Sequence, residues 1–154
     1  MTELYCLDTS VLIESWNNLY RPKSFPSFWE KIRDGFEQKQ FISPWYVLNE
    51  IEKKDDDLYK WTKNISIFFY LFDENLEKEQ TIIINKFRRL IDQGKGRSMC
   101  DPWVIALAKI HKCPVVSQEY PKSDENPKIP DVCRNLDLRC IKIADLIEEM
   151  GWIF

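Results

Sequence analysis

The first apolar segment of the chain, Leu4 to Leu7, is a continuous hydrophobic run without polar alternation. Such a run is typical of a strand that is buried on both faces, as in a parallel sheet. The run ends at Asp8. The N-cap residues Thr9 and Ser10 then predict a helix that begins near Val11. Because open α/β folds bind ligands beyond the carboxyl ends of their strands, Asp8 is a candidate functional residue.

The rest of the chain alternates between helical spacing of apolar residues and short apolar runs. The runs predict further strands at 41–43, 114–117 and 138–143. The spacing predicts six further helices: 26–38, Ser43-Pro44 to Ile51, Asp55 to Phe72, 76–91, Asp101-Pro102 to Ile110, and 144–150. It also predicts a single helical turn over 132–136. Strands that alternate with helices predict an α/β fold, a three-layer α/β/α sandwich around a central, mostly parallel sheet. The chain shows no repeat and no linker, so residues 1–154 are expected to form a single domain.

Composition and charge exclude several classes of protein. A hydrophobic content of 44% excludes a disordered chain, and four glycines without a phosphate-loop motif argue against a nucleotide-binding loop. The five cysteines lack metal-ligand spacing and no signal-peptide pattern is evident, which indicates reduced, mostly buried thiols in a cytoplasmic protein. No apolar run approaches the ~18 residues of a membrane span. The net charge of −3 indicates that any nucleic-acid site is a local basic patch.

Four acidic residues are predicted near the edge of the sheet where a site would form: Asp8, Glu50, Asp101 and Glu119. Each alone has an ordinary explanation, as a helix cap or a solvated surface residue. Two carboxylates about 4 Å apart repel each other by roughly 4 kcal/mol at an effective dielectric constant of about 20. A cluster of them must therefore protonate, separate or bind cations, and Mg²⁺ or Mn²⁺ prefers such oxygen ligands.

Three segments, LDTSVLIE, MCDPWVIALA and VVSQE, together with a glutamate on the third helix, resemble the PIN (PilT N-terminus) domain nucleases. The resemblance covers nearly the whole chain and is strongest to an uncharacterised bacterial subfamily close to the VapC-type toxins of toxin–antitoxin pairs. It implies a metal-dependent endoribonuclease that hydrolyses RNA phosphodiester bonds. Asp8, Glu50 and Asp101 would be the metal ligands and catalytic acids. A homodimer and a cognate antitoxin protein are the partners that the resemblance implies.

One position departs from the family pattern, because Glu119 stands where PIN domains commonly carry an aspartate. We include Glu119 in the catalytic set, with direct or water-mediated contact to the metal. The departure and the acidic pI leave open a catalytically inactive PIN-fold binding or scaffold protein. A phosphohydrolase of the haloacid-dehalogenase kind would need a second acid where Ser10 stands, which makes it the weaker rival.

Residues that contact RNA are harder to predict from this sequence. Gly94 and Gly96 predict a flexible loop that precedes Asp101, and we predict that its Lys95 and Arg97 bind the phosphate backbone. Ser10 is a further candidate substrate-binding residue. Either Thr9 or Ser10 is a candidate to orient a metal-bound water, with helix capping as the alternative. Trp61 lies among surface lysines. We interpret it as a core residue, with a base-stacking role as the less favoured alternative. The aromatic second helix, from Phe25 to Phe36, is a candidate partner-facing surface, with core burial as the alternative.

Overall fold

The computed structural model describes residues 3–88 and 100–154. Its strands are β1 (Tyr5–Leu7), β2 (Phe41–Ile42), β3 (Val115–Val116) and β4 (Cys140–Ile141). Its α-helices are α1 (Thr9–Glu14), α2 (Pro26–Glu37), α3 (Trp45–Lys54), α4 (Asp56–Lys63), α5 (Glu74–Lys86), α6 (Asp101–His111), α7 (Ile129–Asn135) and α8 (Ile143–Met150). Over these two ranges, no helix is long and apolar enough to cross a membrane.

The four strands form one parallel sheet in the order β2-β1-β3-β4. In its centre, Cys6 of β1 pairs with Val115 of β3, and Leu7 pairs with Val116. Successive side chains of a strand point to opposite faces, yet all three residues of β1 are buried. Helices therefore cover both faces of the sheet. The predicted α/β/α fold with a central parallel sheet is confirmed.

The predicted caps of two helices are wrong. Helix α1 begins at Thr9 with Asp8 at the N-cap, so Thr9 and Ser10 lie inside the helix. Ser43 does not cap α3, whose N-cap is Pro44. Instead, the buried Ser43 hydroxyl donates a hydrogen bond of 2.7 Å to the carbonyl oxygen of Leu7. The Ser43 side chain, which local sequence predicted to cap a helix, therefore bonds to a neighbouring strand instead.

The helix predicted from Asp55 through Phe72 is much shorter in the structure. Asp55 caps α4 by accepting a hydrogen bond from the Leu58 backbone, as the sequence indicated, but α4 ends at Lys63. The following chain makes a 3₁₀ turn over Ser66–Phe68 and then becomes extended. There the Tyr70 backbone donates to Ser43 and accepts from Trp45. This pairing with a distant segment prevents the helix from continuing.

The remaining element boundaries differ by smaller amounts. Helix α5 ends at Lys86, and the part of the predicted helix beyond residue 88 lies outside the described residues. Helix α7 is longer than the predicted turn and begins at Ile129. Of the five cysteines, four are buried and Cys140 is partly exposed. This burial agrees with the prediction of mostly buried thiols.

The aromatic residues of α2 belong to the core and do not form a partner-facing surface. Phe28, Trp29 and Phe36 are buried, and their rings pack against neighbouring aromatic rings. Trp61 packs against the Trp29 ring at a centroid distance of 5.0 Å, which confirms its core interpretation. The alternative weighed for α2, core burial, is the one that the structure supports.

Candidate metal centre

Asp8 is placed by the end of the central strand. Its backbone N–H continues the pairing of β1 with β3 by donating to the Val116 carbonyl oxygen at 2.9 Å. Within the described residues, the Asp8 carboxylate makes no capping hydrogen bond to α1, although the residue occupies the N-cap. The side chain is only 2% exposed. The acid is therefore buried at the carboxyl edge of the sheet without serving as a helix cap.

Asp101 and Glu119 reach the same edge from two other elements. Asp101 is the first residue of α6, which packs against β1, and it is 2% exposed. Glu119 lies three residues beyond the end of β3, the strand next to β1. Each of Asp8, Asp101 and Glu119 offers a carboxylate oxygen within 4.8 Å of those of the other two. Three oxygen ligands in this space fit a hard divalent ion such as Mg²⁺ or Mn²⁺.

Two serine hydroxyls hold the Asp8 carboxylate in position. Ser10 donates to Asp8 Oδ2 at 2.6 Å, and the buried Ser117 donates to the same oxygen at 3.1 Å. Each hydroxyl in turn accepts a backbone N–H, from Gln118 and Glu119 respectively. A hydroxyl has one proton to donate, so these backbone bonds fix its direction toward Asp8. Both serines therefore orient the carboxylate.

The electrostatics of the cluster oppose ionisation of Asp8. The pKa of Asp8 is raised to about 7, mainly by burial and in addition by the negative charges of Glu119 and Glu50. The hydrogen bonds from Ser10 and Ser117 act in the opposite direction, because they stabilise the carboxylate. A cation between these acids would remove the repulsion that raises this pKa.

Glu119 makes a second contact that bears on its role. Its Oε1 accepts a hydrogen bond of 3.1 Å from the backbone N–H of Ile129, the first residue of α7. Glu119 therefore also ties the loop after β3 to the start of α7. One more methylene than aspartate lets the side chain span this distance while remaining close to Asp8 and Asp101.

Glu50 lies on α3 and lines the same cleft as the three clustered acids, although it is outside the group formed at 4.8 Å among the described residues. Its Oε2 lies 3.9 Å from the ammonium of Lys54, one helical turn later. The structure thus brings all four predicted acids to one cleft and draws three of them closest together. Their catalytic and metal-binding roles stay predictions.

The other predicted site residues have different positions. Ser10 lies in the cleft and contacts Asp8 directly. Lys95 and Arg97, predicted to bind RNA phosphates, lie outside the described residues. Of the nearby acids, Asp131 is buried and accepts the backbone N–H groups of Lys122 and Lys128 at the start of α7. That acid has a structural role.

The cleft has a volume of about 550 Å³. It is lined by Asp8, Thr9, Ser10, Ile13, Glu14, Leu19, Glu50, Lys54, Asp101, Gln118, Glu119, Tyr120 and Lys128. Sequence reasoning missed Tyr120, although it follows Glu119 directly and is 74% exposed. The signal in the sequence that could have identified Tyr120 is its position as a lone aromatic residue at the start of a polar loop.

The three clustered acids at the carboxyl edge of the parallel sheet define a candidate divalent-metal site in an α/β/α fold. The chain belongs to the family described as domain of unknown function (DUF4411), whose model matches residues 5–154. No curated protein matches the chain significantly.

Two solved structures are similar to this chain in fold. PAE2754 from Pyrobaculum aerophilum is 12% identical with a TM-score of 0.54, over 98% of both chains. A chain of VapBC2 from Rickettsia felis, crystallised with a DNA fragment from their promoter, is 15% identical with a TM-score of 0.51. That match covers 90% of this chain and 98% of the other. Since VapC-type toxins are PIN-domain proteins, the likeness supports the PIN-like fold that the resemblance implied. Identities this low show the fold alone.

The affinity of the site for Mn²⁺ is expected to rise with pH. A divalent ion binds the ionised carboxylate, and the raised pKa of Asp8 keeps that group protonated below about 7. For a single displaced proton, the affinity rises about tenfold per pH unit below this pKa and levels off above it. Calorimetry between pH 5.5 and 8 in two buffers of different ionisation enthalpy counts the proton released. An affinity that is flat across this range would contradict the assignment of Asp8 as a ligand.

Proposed function

We propose that this chain is a divalent-metal-dependent endoribonuclease that hydrolyses RNA phosphodiester bonds, and that it is the toxin of a type II toxin–antitoxin pair. The observation that supports the activity best is the close approach of Asp8, Asp101 and Glu119 at the carboxyl edge of the parallel sheet. Two of these acids, Asp8 and Asp101, are only 2% exposed, and burial penalises the charged form of a carboxylate. Such a cluster is suited to hold a metal ion.

In this proposal Asp8, Asp101 and Glu119 hold Mg²⁺ or Mn²⁺, and Glu50 assists from the neighbouring helix. When bound, the ion supplies Lewis-acid stabilisation of the charge that develops on the phosphoryl group. Ser10 and Ser117 keep Asp8 oriented toward the cleft by their hydrogen bonds to Oδ2. The protein thereby presents rigid ligands that need little rearrangement when the ion and the phosphate arrive.

The charge of the cleft explains why RNA binding needs the ion. The lining contains five acidic side chains, from Asp8, Glu14, Glu50, Asp101 and Glu119. Two lysines, Lys54 and Lys128, also line it, and Lys54 pairs with Glu50. A phosphate backbone is repelled by such a surface unless a divalent cation neutralises part of it. The proposed activity therefore requires metal for substrate binding as well as for chemistry.

The test of this proposal is cleavage of a labelled single-stranded RNA by the purified protein. We expect Mn²⁺-dependent cleavage that stops with EDTA and returns when Mn²⁺ is restored. Asp101→Asn should reduce the rate at least about a hundredfold, because a lost ligand forfeits several kcal/mol of metal stabilisation. Asp124→Asn is the matched control, since Asp124 is exposed and its carboxylate contacts Arg134 outside the cleft. Cleavage that survives EDTA, or that Asp101→Asn leaves unchanged, would contradict the proposal.

One observation favours a second candidate, a PIN-fold binding protein without catalysis. Glu119 stands where PIN domains commonly carry an aspartate, and it accepts the Ile129 N–H, which gives it a structural role. This candidate requires that RNA or partner binding persists in Asp101→Asn and that wild type shows no metal-dependent cleavage. The same assay, read together with RNA binding, distinguishes the two candidates.

The proposed partners are an antitoxin protein and a second copy of the chain. The similarity in fold to a chain of VapBC2 supports this proposal. Co-expression with the product of a neighbouring small gene should yield a stable complex whose RNA cleavage is lower than that of the isolated chain.

A further inference from the structure

An exposed aromatic ring stands at the rim of the acidic cleft. Tyr120 follows Glu119 directly in the chain, lines the cleft and is 74% exposed. Most of the other aromatic residues in the described ranges pack in or against the core. A tyrosine that is solvated to this degree contributes little to folding, so its position calls for another explanation.

The Tyr120 ring is held in place by a cation behind it. The Lys142 ammonium lies 3.7 Å from the ring centroid. The same ammonium donates hydrogen bonds to the backbone carbonyl oxygens of Gln118 at 3.3 Å and Glu119 at 2.9 Å. Lys142 itself precedes α8, where its backbone N–H bonds to Asp145. The ring thus has one face against a fixed cation and, given its exposure, the other open to solvent.

The cleft also contains apolar surface that a phosphate group does not use. Ile13 and Leu19 line it together with the acids, and Leu19 is 41% exposed. Apolar and aromatic surface beside a metal site suits a ligand with a flat, uncharged part adjacent to an anionic part. A nucleotide has this character, with its base on one side and its phosphate on the other.

We propose that Tyr120 is a stacking platform for one unpaired base of the RNA substrate, and that it makes the cleft selective for single-stranded RNA. This inference rests on the proposed function, because it assigns the substrate of that same site. A base stacks on an aromatic face regardless of its identity, so the contact gives strand selectivity without sequence selectivity. The bases of a duplex already stack on one another, and their faces are not accessible to the ring.

The inference is tested by binding of a twelve-nucleotide RNA that carries one 2-aminopurine, with Ca²⁺ in place of Mn²⁺ so that cleavage is slow. Tyr120→Ala should weaken binding about ten- to hundredfold, the usual effect of losing one stacked base. Tyr120→Phe and Tyr120→Trp keep an aromatic face and should bind within about threefold of wild type. Wild type should quench the 2-aminopurine fluorescence on binding, whereas Tyr120→Leu, of similar bulk without a ring, should not.

Further measurements separate this inference from the proposed function. Mn²⁺ affinity and the far-UV circular dichroism spectrum of Tyr120→Ala should match those of wild type, which shows that the fold and the metal site persist. If wild type cleaves RNA and Tyr120→Ala binds it within twofold of wild type, the stacking inference is wrong and the nuclease proposal stands. If binding and quenching depend on Tyr120 but no cleavage occurs, the stacking inference stands and the nuclease proposal is wrong. A wild type that binds duplex RNA as tightly as single strands, or binds no RNA, overturns the stacking inference.

Discussion

Asp8→Asn is expected to abolish metal-dependent RNA cleavage and, at the same time, to make the metal-free protein more stable. Asparagine keeps the shape of the side chain and an oxygen that can accept the hydroxyl groups of Ser10 and Ser117. It removes the negative charge that the ion would need. The loss of one anionic ligand should lower the cleavage rate at least about a hundredfold, because metal catalysis supplies several kcal/mol.

The sign of the stability change follows from the pKa of Asp8. Burial, together with the charges of Glu119 and Glu50, raises this pKa from 3.8 to about 7, so the folded state binds the proton more tightly than the unfolded state. Ionised Asp8 therefore destabilises the metal-free fold at neutral pH, and the stability of wild type rises as pH falls from about 7 toward 4. Asp8→Asn should add roughly 2–4 kcal/mol at pH 7.5. The corresponding rise in Tm is about 5–10 °C.

The opposite sign is expected of an acid that caps a helix. Asp55 accepts the Leu58 backbone N–H at the start of α4, so Asp55→Ala should lower stability by about 1 kcal/mol. Thermal unfolding of wild type, Asp8→Asn and Asp55→Ala in EDTA measures both effects. If Asp8→Asn is less stable than wild type, then the Asp8 carboxylate stabilises the fold, and the functional account of this residue is wrong.

Gly35→Ala is expected to destabilise the fold by about 2 kcal/mol or more, because overpacking a core forces buried groups apart. A Cβ on Gly35 in α2 would overlap the Cδ2 and Cε2 atoms of the Phe41 ring. Phe41 is 2% exposed, and its ring packs against those of Tyr5 and Trp152. A shift of the ring would disturb these aromatic contacts. This steric cost exceeds the gain of about 1 kcal/mol that alanine normally brings to a helix.

Urea unfolding of two further variants separates the steric effect from helix propensity. Asp34→Ala changes the exposed neighbour of Gly35 on the same helix and should alter stability by no more than about 0.5 kcal/mol. In a Phe41→Leu background, Gly35→Ala should cost much less, since the smaller side chain leaves room for the added methyl group. A Gly35→Ala protein as stable as wild type would show that Phe41 can shift without cost.

Local sequence predicted the features that depend on neighbouring residues. The apolar run before Asp8 predicted a doubly buried strand, and the alternation of strands and helices predicted the parallel sheet. In such a sheet the carboxyl ends of strands share one edge, so Asp8 and Glu119 were expected near each other. The sequence therefore predicted that Asp8 and Glu119 lie near each other, and both line the cleft.

Features that depend on distant contacts were beyond that reasoning. Ser43 has the local pattern of a helix cap, but its hydroxyl bonds to Leu7, 36 residues earlier. Phe72 fits the helical spacing of Leu58, but Tyr70 pairs with the backbone of Ser43 and Trp45 and holds this part extended. In both cases a tertiary hydrogen bond outweighed the local preference.

The rim of the cleft was equally hidden in the sequence. Tyr120 and Lys142 are separated by 21 residues, and only the fold brings the ammonium against the ring. The Ser117 hydroxyl likewise reaches Asp8 because β3 lies beside β1. The strand next to β1 thus supplies one of the two hydroxyl groups that orient the buried acid, and no spacing rule along the chain indicates it.

The measurement that tests the central claim most directly is calorimetric titration of Mn²⁺ into the metal-free protein at pH 7.5, with Asp101→Asn and Asp124→Asn alongside. The account predicts saturable binding to wild type and to Asp124→Asn. It predicts a loss of at least about tenfold in affinity for Asp101→Asn, because one anionic ligand to a hard ion is removed. Absence of binding to wild type at millimolar Mn²⁺, or equal binding to Asp101→Asn, would show that these acids are not a metal site and would contradict the account.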